Sequence, residues 1–250
     1  MSEHFDWRGR TALVTGASAG IGAAVVRRLV AEGLNVVAVA RREERLVALR
    51  EELGEALLPV RADLRVEAEI LGAFERAREV FGGVDLLVNN AGLGHHAPLS
   101  SGETEAWRDM LELNVLALCV CTRECIADLR RRGLDDGFIV HVSSMSGHRV
   151  AQGSGVYSAT KHAVFALTEG LRQELREAGS KIRVGAVSPG FVETEFAALY
   201  HRSEEAARKT YDRYPCLTPD DVAEAIWWQV TRPAHWSVHD ILMRPTEQVS

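Results

Sequence analysis

The sequence predicts an α/β fold: one doubly wound domain built on a parallel sheet of about seven strands, with helices on both faces. Three observations predict it. Short apolar, β-branched runs alternate with helix-like segments along the whole chain, the pattern of a parallel sheet covered on both sides. Near the start, Thr11-Ala12-Leu13-Val14 leads into a turn with glycines at 16, 20 and 22, followed by a helical pattern and a second apolar run at 35–40. Strand, glycine turn, helix and strand within about thirty residues form a nucleotide-binding, Rossmann-like βαβ unit. Finally, 250 residues are enough to bury a large core, and no Ser/Gly-rich tract, Pro-rich tract or internal repeat divides them. Residues 1–250 are therefore expected to form one domain.

In chain order, the strands are expected at 11–15, 35–40, 57–61, 84–88, 137–142, 182–187 and near 239–243. The first helix runs from Ala23 to Glu32, with Val25, Val26, Leu29 and Val30 on its apolar side. Long helices are expected near 104–132 and 155–178. Gly16, Gly20 and Gly22 permit a tight turn and a close backbone approach, and the helix behind them faces a pyrophosphate with its N-terminus. The second strand ends at Ala40 and is followed by Arg41-Arg42, with no acidic residue before Glu43. An acidic residue there would hold the 2′-hydroxyl of NAD, whereas arginine suits the 2′-phosphate of NADP. NADP is the expected cofactor.

The chemistry is concentrated around Tyr157 and Lys161, which share a helix face at i and i+4, with Ser144 thirteen residues before the tyrosine. A free phenol titrates near pKa ~10. A neighbouring lysine cation is expected to favour the phenolate and bring that value toward the working range. Ser144 would hold a substrate oxygen beside the phenol. The set suits moving a proton on and off a carbonyl or alcohol oxygen.

Together these residues resemble the short-chain dehydrogenase/reductase superfamily. Thr15 to Gly22 matches its Thr-Gly-x3-Gly-x-Gly motif, Asn89-Asn90-Ala91-Gly92 its Asn-Asn-Ala-Gly motif, and Asn114 its helix asparagine. Ser144, Tyr157 and Lys161 match its catalytic serine and Tyr-x3-Lys, and Pro189-Gly190 its Pro-Gly segment after a late strand. The resemblance implies a catalytic set of Asn114, Ser144, Tyr157 and Lys161, in which Asn114 holds a water that links Lys161 to solvent. It implies cofactor contacts from Gly16, Ser18, Ala19, Gly20, Ile21 and Gly22, with Arg41 and Arg42 at the 2′-phosphate and Asp63 and Leu64 at the adenine. Asn90, Ala91 and Gly92 would line the nucleotide, Tyr157 and Lys161 the nicotinamide ribose, and Pro189, Gly190, Val192 and Thr194 the carboxamide. Many NADP-using relatives carry a basic residue where this chain has Ala19.

A substrate lid is implied near 193–214, and a substrate pocket from Leu93, His95, Met145, His148, Val150, Phe191 and Phe196, with Leu199 and Tyr200 beside it. The implied partner is a small-molecule ketone, aldehyde or alcohol. Residues 145–150, 167–176 and 243–249 resemble a branch acting on lipophilic alcohols and carbonyls, the insect farnesol dehydrogenases among them. In that branch the segment between the serine and the tyrosine is longer than here. Residues 41–46 and 223–228 also resemble bacterial NADP-dependent 3-hydroxy acid dehydrogenases. For a small acid, Arg149 and His148 are the candidate carboxylate partners. A non-catalytic NADP(H) sensor on the same scaffold is the reading from another class. Relatives pair the helices bearing Asn114 and Tyr157 into dimers or tetramers, so a homo-oligomer is expected, with Leu118, Cys121, Phe165 and Leu171 as contacts.

Composition narrows the partners. Lys and Arg total 29 against 35 Asp and Glu, so the net charge is 29 − 35 = −6. That argues against nucleic acid, which needs a basic face. No run approaches the ~20 apolar residues of a membrane helix, and Met1 to Asp6 has no basic and apolar signal pattern, so a cytoplasmic location is expected. Cys119, Cys121 and Cys125 fall in one helix without a closing Cys/His cluster, and His95-His96 lie side by side on a loop. No metal is expected, and the thiols are read as reduced and mostly packed.

Overall fold

The computed structural model describes residues 4–249. Met1–Glu3, part of the N-terminal stretch read above for a signal, and Ser250 lie outside the described residues. Seven strands form one sheet: β1 Thr11–Thr15, β2 Asn35–Ala40, β3 Leu57–Arg61, β4 Leu86–Asn89, β5 Phe138–Val142, β6 Arg183–Pro189 and β7 Asp240–Met243. Their order is β3-β2-β1-β4-β5-β6-β7 and every pairing is parallel. All residues of β1, β4, β5 and β6 are buried, which is why these strands read as continuous apolar runs. Alternate side chains enter opposite layers: Val36, Ala38 and Ala40 of β2 join one core cluster, Val37 and Val39 the other. The chain turns back between β1 and β4, and the crevice beyond their carboxyl ends is where this fold binds ligands.

Helices α1 Gly20–Ala31, α2 Glu43–Leu53 and α3 Glu67–Phe81 cross between the first four strands. Arg10 pairs with Asp136, and the Trp7 indole donates to the carbonyl of Val230, closing the N-terminal segment onto the body. The long helix expected at 104–132 runs continuously in right-handed backbone and widens at its centre. It forms α4 Thr104–Leu111, a π-helical turn at Glu112–Leu116 and α5 Ala117–Arg131. Then come α6 Gly155–Glu177, α7 Phe196–His201, α8 Glu204–Tyr211 and α9 Pro219–Val230. The start of α9 is fixed by Pro219 and by a reciprocal capping pair between Thr218 and Asp221,.

All four cysteines are free thiols, and Cys121 and Cys125 are buried. Burial pushes the Cys121 thiol up to about 12 and Cys125 higher still. Cys121, Leu118 and Leu171 are buried in this chain, whereas Phe165 is 44% exposed. Of the four contacts expected for oligomer formation, only Phe165 thus presents a largely open side chain. Among the described residues no helix is long and apolar enough to cross a membrane, and no group of three or more His, Cys, Asp or Glu could hold a metal ion.

A buried polar chain runs between the sheet and its helices. Thr168 Oγ1 donates to the Val164 carbonyl at 2.7 Å, so it accepts from His141 Nδ1 at 2.9 Å. His141 Nε2 then accepts from Thr122 Oγ1 at 3.3 Å, and Thr122 accepts from Asn89 Nδ2 at 3.1 Å. This order places a proton on Nδ1 and lets Nε2 accept from Thr122 when His141 is neutral. Burial, with Lys161 adding, lowers its pKa from 6.5 to about 3. The folded value lies below the unfolded one, so the stabilisation is present above pH 6.5 and is lost as pH falls toward 3,. Urea denaturation from pH 7 to 4 should show falling stability for the wild type and a shallower fall for His141→Gln. Parallel curves would assign the acid sensitivity to other groups.

Candidate active site

The crevice is shaped first by glycine. Gly16 and Gly20 have φ values of +67° and +52°, left-handed backbone that a side chain resists. A Cβ on Gly22 would collide with the Gly16 carbonyl oxygen. Ala19 precedes α1 in extended conformation, with no side-chain cap and no acidic residue in the first turn. The first amides of α1 thus lack a side-chain acceptor at a helix end that favours anions. Thr15 Oγ1 accepts from the amides of Asn90 and Ala91 at 3.0 and 2.9 Å, while Asn90 Nδ2 donates to the Thr15 carbonyl at 2.8 Å. These bonds tie the loop after β1 to the loop after β4.

Asn114 sits in the π-helical turn, 2% exposed. Its Nδ2 donates to the Leu93 carbonyl at 2.8 Å and to Thr160 Oγ1 at 3.0 Å, and its Oδ1 accepts from the Leu93 amide at 2.9 Å. Thr160 donates in turn to the Tyr157 carbonyl at 2.7 Å. Both amide hydrogens are committed to protein partners, so the side chain links the loop after β4 to α6. π-turns inside helices occur often at functional sites.

Ser144 follows β5 and caps a short turn, its Oγ accepting from the Ser146 amide at 3.1 Å. Its side chain also lies near enough to the Tyr157 phenol to favour the charged form. Lys161 lies one turn beyond Tyr157 on α6, is 6% exposed, and donates from Nζ to the Val142 carbonyl at 3.0 Å. Its ammonium stands 6.0 Å from the Tyr157 ring centroid. The phenol behaves opposite to the expectation from sequence. The protein packed around it raises it to about 12, and Ser144 only partly offsets this. Burial also lowers Lys161 to about 8. Desolvation, which the spacing of residues does not reveal, is the largest cause of both shifts,. A Cβ on Gly92 would lie 3.5 Å from Lys161 Nζ, so the glycine leaves the approach to the lysine clear.

The Tyr157 ring faces Phe196 and Tyr200 of α7, at centroid distances of 5.5 and 6.2 Å. A Cβ on Gly94 would contact all three rings. Of the other residues expected around a substrate, Met145 is buried and Val150 is exposed. His95 lies against α4, with Nε2 3.5 Å from Asp109 and its amide on Met110 Sδ. His96 packs edge-on to Tyr200 instead, so the adjacent histidines face different neighbours. His148 Nε2 pairs with Asp240 of β7 at 2.8 Å and lies 3.3 Å from Ser188 Oγ.

Pro189 closes β6, the Gly190 amide donates to the Met243 carbonyl, and the Phe191 amide donates to Gln248 Oε1 at 3.0 Å. Val192 bridges to Leu217, and Thr194 is held at its amide and carbonyl by the Tyr211 hydroxyl. At the far end of the crevice, Arg42 donates from Nε to Ser18 Oγ at 3.2 Å and from Nη1 to Glu195 at 2.8 Å. Arg65 holds Asp63 with three hydrogen bonds, two from its guanidinium and one from its backbone amide, which keep that carboxyl below the usual range, and Leu64 is buried. Arg41 is exposed beside them.

Sequence reasoning missed Asp240, Gln248, Thr160 and Glu195. Asp240 and Gln248 lie 92 and 57 residues from the partners they meet (240 − 148 and 248 − 191), and no local pattern announces such pairs. Thr160 sits inside the Tyr-x3-Lys segment and could have been found by asking which side chain meets Asn114.

The family model for short chain dehydrogenase matches residues 10–205. Dehydrogenase/reductase SDR family member 11 of Homo sapiens is 52% identical, over 98% of this chain and 97% of that protein. Farnesol dehydrogenase of Aedes aegypti is 39% identical over 96% of this chain and 97% of its own length. The NADP-dependent 3-hydroxy acid dehydrogenase of Salmonella typhi is 38% identical over 94% and 95%. The closed form of serine dehydrogenase complexed with NADP+ superposes with a TM-score of 0.91 at 36% identity, covering 96% of each chain. A short-chain dehydrogenase/reductase from Burkholderia phymatum, in complex with NAD, superposes at 0.85 with 28% identity, over 95% of this chain and 90% of that one.

Proposed function

Since the chain belongs to the short-chain dehydrogenase/reductase family of oxidoreductases, we propose that it interconverts a ketone or aldehyde and the corresponding alcohol with NADP(H). The observation that carries this reading is the Tyr157 phenol, beside Ser144 and with the buried Lys161 ammonium 6.0 Å from its ring centroid. Asn114, Ser144, Tyr157 and Lys161 form the catalytic set.

The residues present fit a dinucleotide. The tight turn that Gly16, Gly20 and Gly22 allow and the uncapped start of α1 suit a pyrophosphate,. Ser18, Ala19 and Ile21 complete that turn, and Asn90, Ala91 and Gly92 lie across from it. Asp63 and Leu64 would border the adenine, and Pro189, Gly190, Val192 and Thr194 the nicotinamide. When bound, the nicotinamide supplies hydride for reduction or accepts it in oxidation.

The chain's own groups handle the proton. Burial keeps Tyr157 protonated at neutral pH, so its hydroxyl donates to a carbonyl oxygen in reduction. Ser144 donates a hydrogen bond to the same oxygen as negative charge develops there. Lys161, lowered to about 8, remains mostly a cation at pH 7 and stabilises the phenolate left by proton transfer. In oxidation the phenolate takes the alcohol proton. Asn114 holds the loop of Gly92 and Leu93 at its distance from Lys161, and one Oδ1 lone pair remains for the relay water.

The wall of Tyr157, Phe196 and Tyr200 favours an apolar ketone or secondary alcohol. A small 3-hydroxy acid would need a cation facing it; of the two candidates His148 is turned to Asp240, which leaves Arg149. A non-catalytic sensor is disfavoured because Tyr157 and Lys161 are both in place. Residues 193–214, folded as α7 and α8, serve as the substrate lid of one domain spanning 1–250. The protein is cytoplasmic, and two or four copies pair along the α5–α6 face beside Phe165.

Two measurements test the reading. Tyr157→Phe should lose at least a hundredfold in turnover of a ketone panel, on the scale of general acid catalysis, while binding NADPH nearly as wild type. Activity within tenfold of wild type would remove Tyr157 from the mechanism. For the cofactor, one charge-assisted hydrogen bond is worth roughly 1.5–3 kcal/mol, and ~1.4 kcal/mol is a factor of ten. NADPH should therefore exceed NADH at least tenfold in kcat/KM, and Arg41→Ala or Arg42→Ala should narrow the gap. Equal use of both cofactors would refute the 2′-phosphate assignment.

A further inference from the structure

Glu195 begins the turn into α7, and its carboxylate reaches across the end of the crevice. It accepts from Arg42 Nη1 at 2.8 Å and from Arg45 Nη1 at 2.6 Å, one oxygen to each. Both arginines, Arg42 foremost, hold its carboxyl below the usual range. The residue before it, Thr194, lies over the glycine turn, where a Cβ on Gly20 would stand 3.1 Å from Thr194 Cγ2. The carboxylate and the Ser18 hydroxyl thus share one guanidinium, the group read above as a phosphate ligand. All three charged side chains are about half exposed, so they can exchange partners.

We propose that Glu195 is a specificity-determining residue: a built-in carboxylate that competes with the cofactor 2′-phosphate for Arg42 and so limits the preference for NADP over NAD. The inference rests on the reading of Arg42 as a 2′-phosphate ligand. A phosphate on Arg42 meets the Glu195 carboxylate as a like charge, and the carboxylate must leave at least one arginine. A cofactor with a free 2′-hydroxyl displaces nothing. Binding NADP+ therefore breaks one ion pair as it makes another, and salt screens both. Removing the carboxylate leaves only the pair that forms.

The test is equilibrium binding of NADP+ and NAD+ to the full-length protein, at low and high NaCl. Glu195→Gln keeps the size of the side chain and removes its charge. It should bind NADP+ roughly threefold to tenfold tighter than wild type, the scale of exposed ion pairs. NAD+ affinity should stay within about twofold, well below that scale. The salt dependence of NADP+ binding should steepen, and the gain should vanish in the Arg42→Ala background. Unchanged or weaker NADP+ binding by Glu195→Gln, or equal tightening for both cofactors, would overturn the proposal. If Arg42→Ala alone lowers the NADP+ preference while Glu195→Gln changes nothing, the competition is wrong and the 2′-phosphate reading stands. If Arg42→Ala leaves NADP+ binding intact, both fall.

Discussion

An ammonium group buried at the end of β5 sets the terms for the site. Lys161 Nζ keeps one hydrogen bond, to the Val142 carbonyl, and the surrounding protein replaces much of its water. Burying a cation with so few partners is unfavourable, and it lowers the ammonium to about 8,. Its neighbour is Tyr157, one helical turn earlier. Because α6 carries both residues, the direction of that helix fixes their separation, and its docking on β5 fixes their depth. The Asn114–Thr160–Tyr157 chain pins the same turn of α6 to the loop after β4. The π-turn that brings Asn114 inward is thus part of how the tyrosine is held.

Much of this was legible beforehand. The bounds of β1, β2 and β3 agree with the sequence reading: β1 and β2 are mostly buried apolar runs, and the half-buried edge strand β3 keeps an apolar run that ends at the exposed Arg61. β4 and β6 run past their expected ends, to Asn89 and Pro189, since polar and proline residues there still pair within the sheet. The π-turn at Glu112–Leu116 was not legible: Glu-Leu-Asn-Val-Leu carries no proline or glycine and reads as ordinary α-helix.

The residue set around Tyr157 could be read from spacing, but its electrostatics could not. Attraction between Tyr157 and Lys161 follows from i, i+4 geometry, whereas desolvation depends on what α7, the loop after β4 and β5 place around them. Burial acts on both partners in the direction that neutralises them, raising the phenol and lowering the ammonium. The arginines at the other end of the crevice repeat the lesson. Arg41-Arg42 is visible as a phosphate signal, but Glu195 is 153 residues away from Arg42 and becomes relevant only once the chain returns over the glycine turn.

The central claim is that Lys161 acts as a cation on the Tyr157 phenol. The most direct measurement is the pH dependence of alcohol oxidation for wild type and Lys161→Met, with cofactor saturating. Loss of the cation removes stabilisation of the phenolate, so the pH at which oxidation switches on should rise in the variant. An unchanged or lower switching pH in Lys161→Met would contradict the account and leave Lys161 only a structural role.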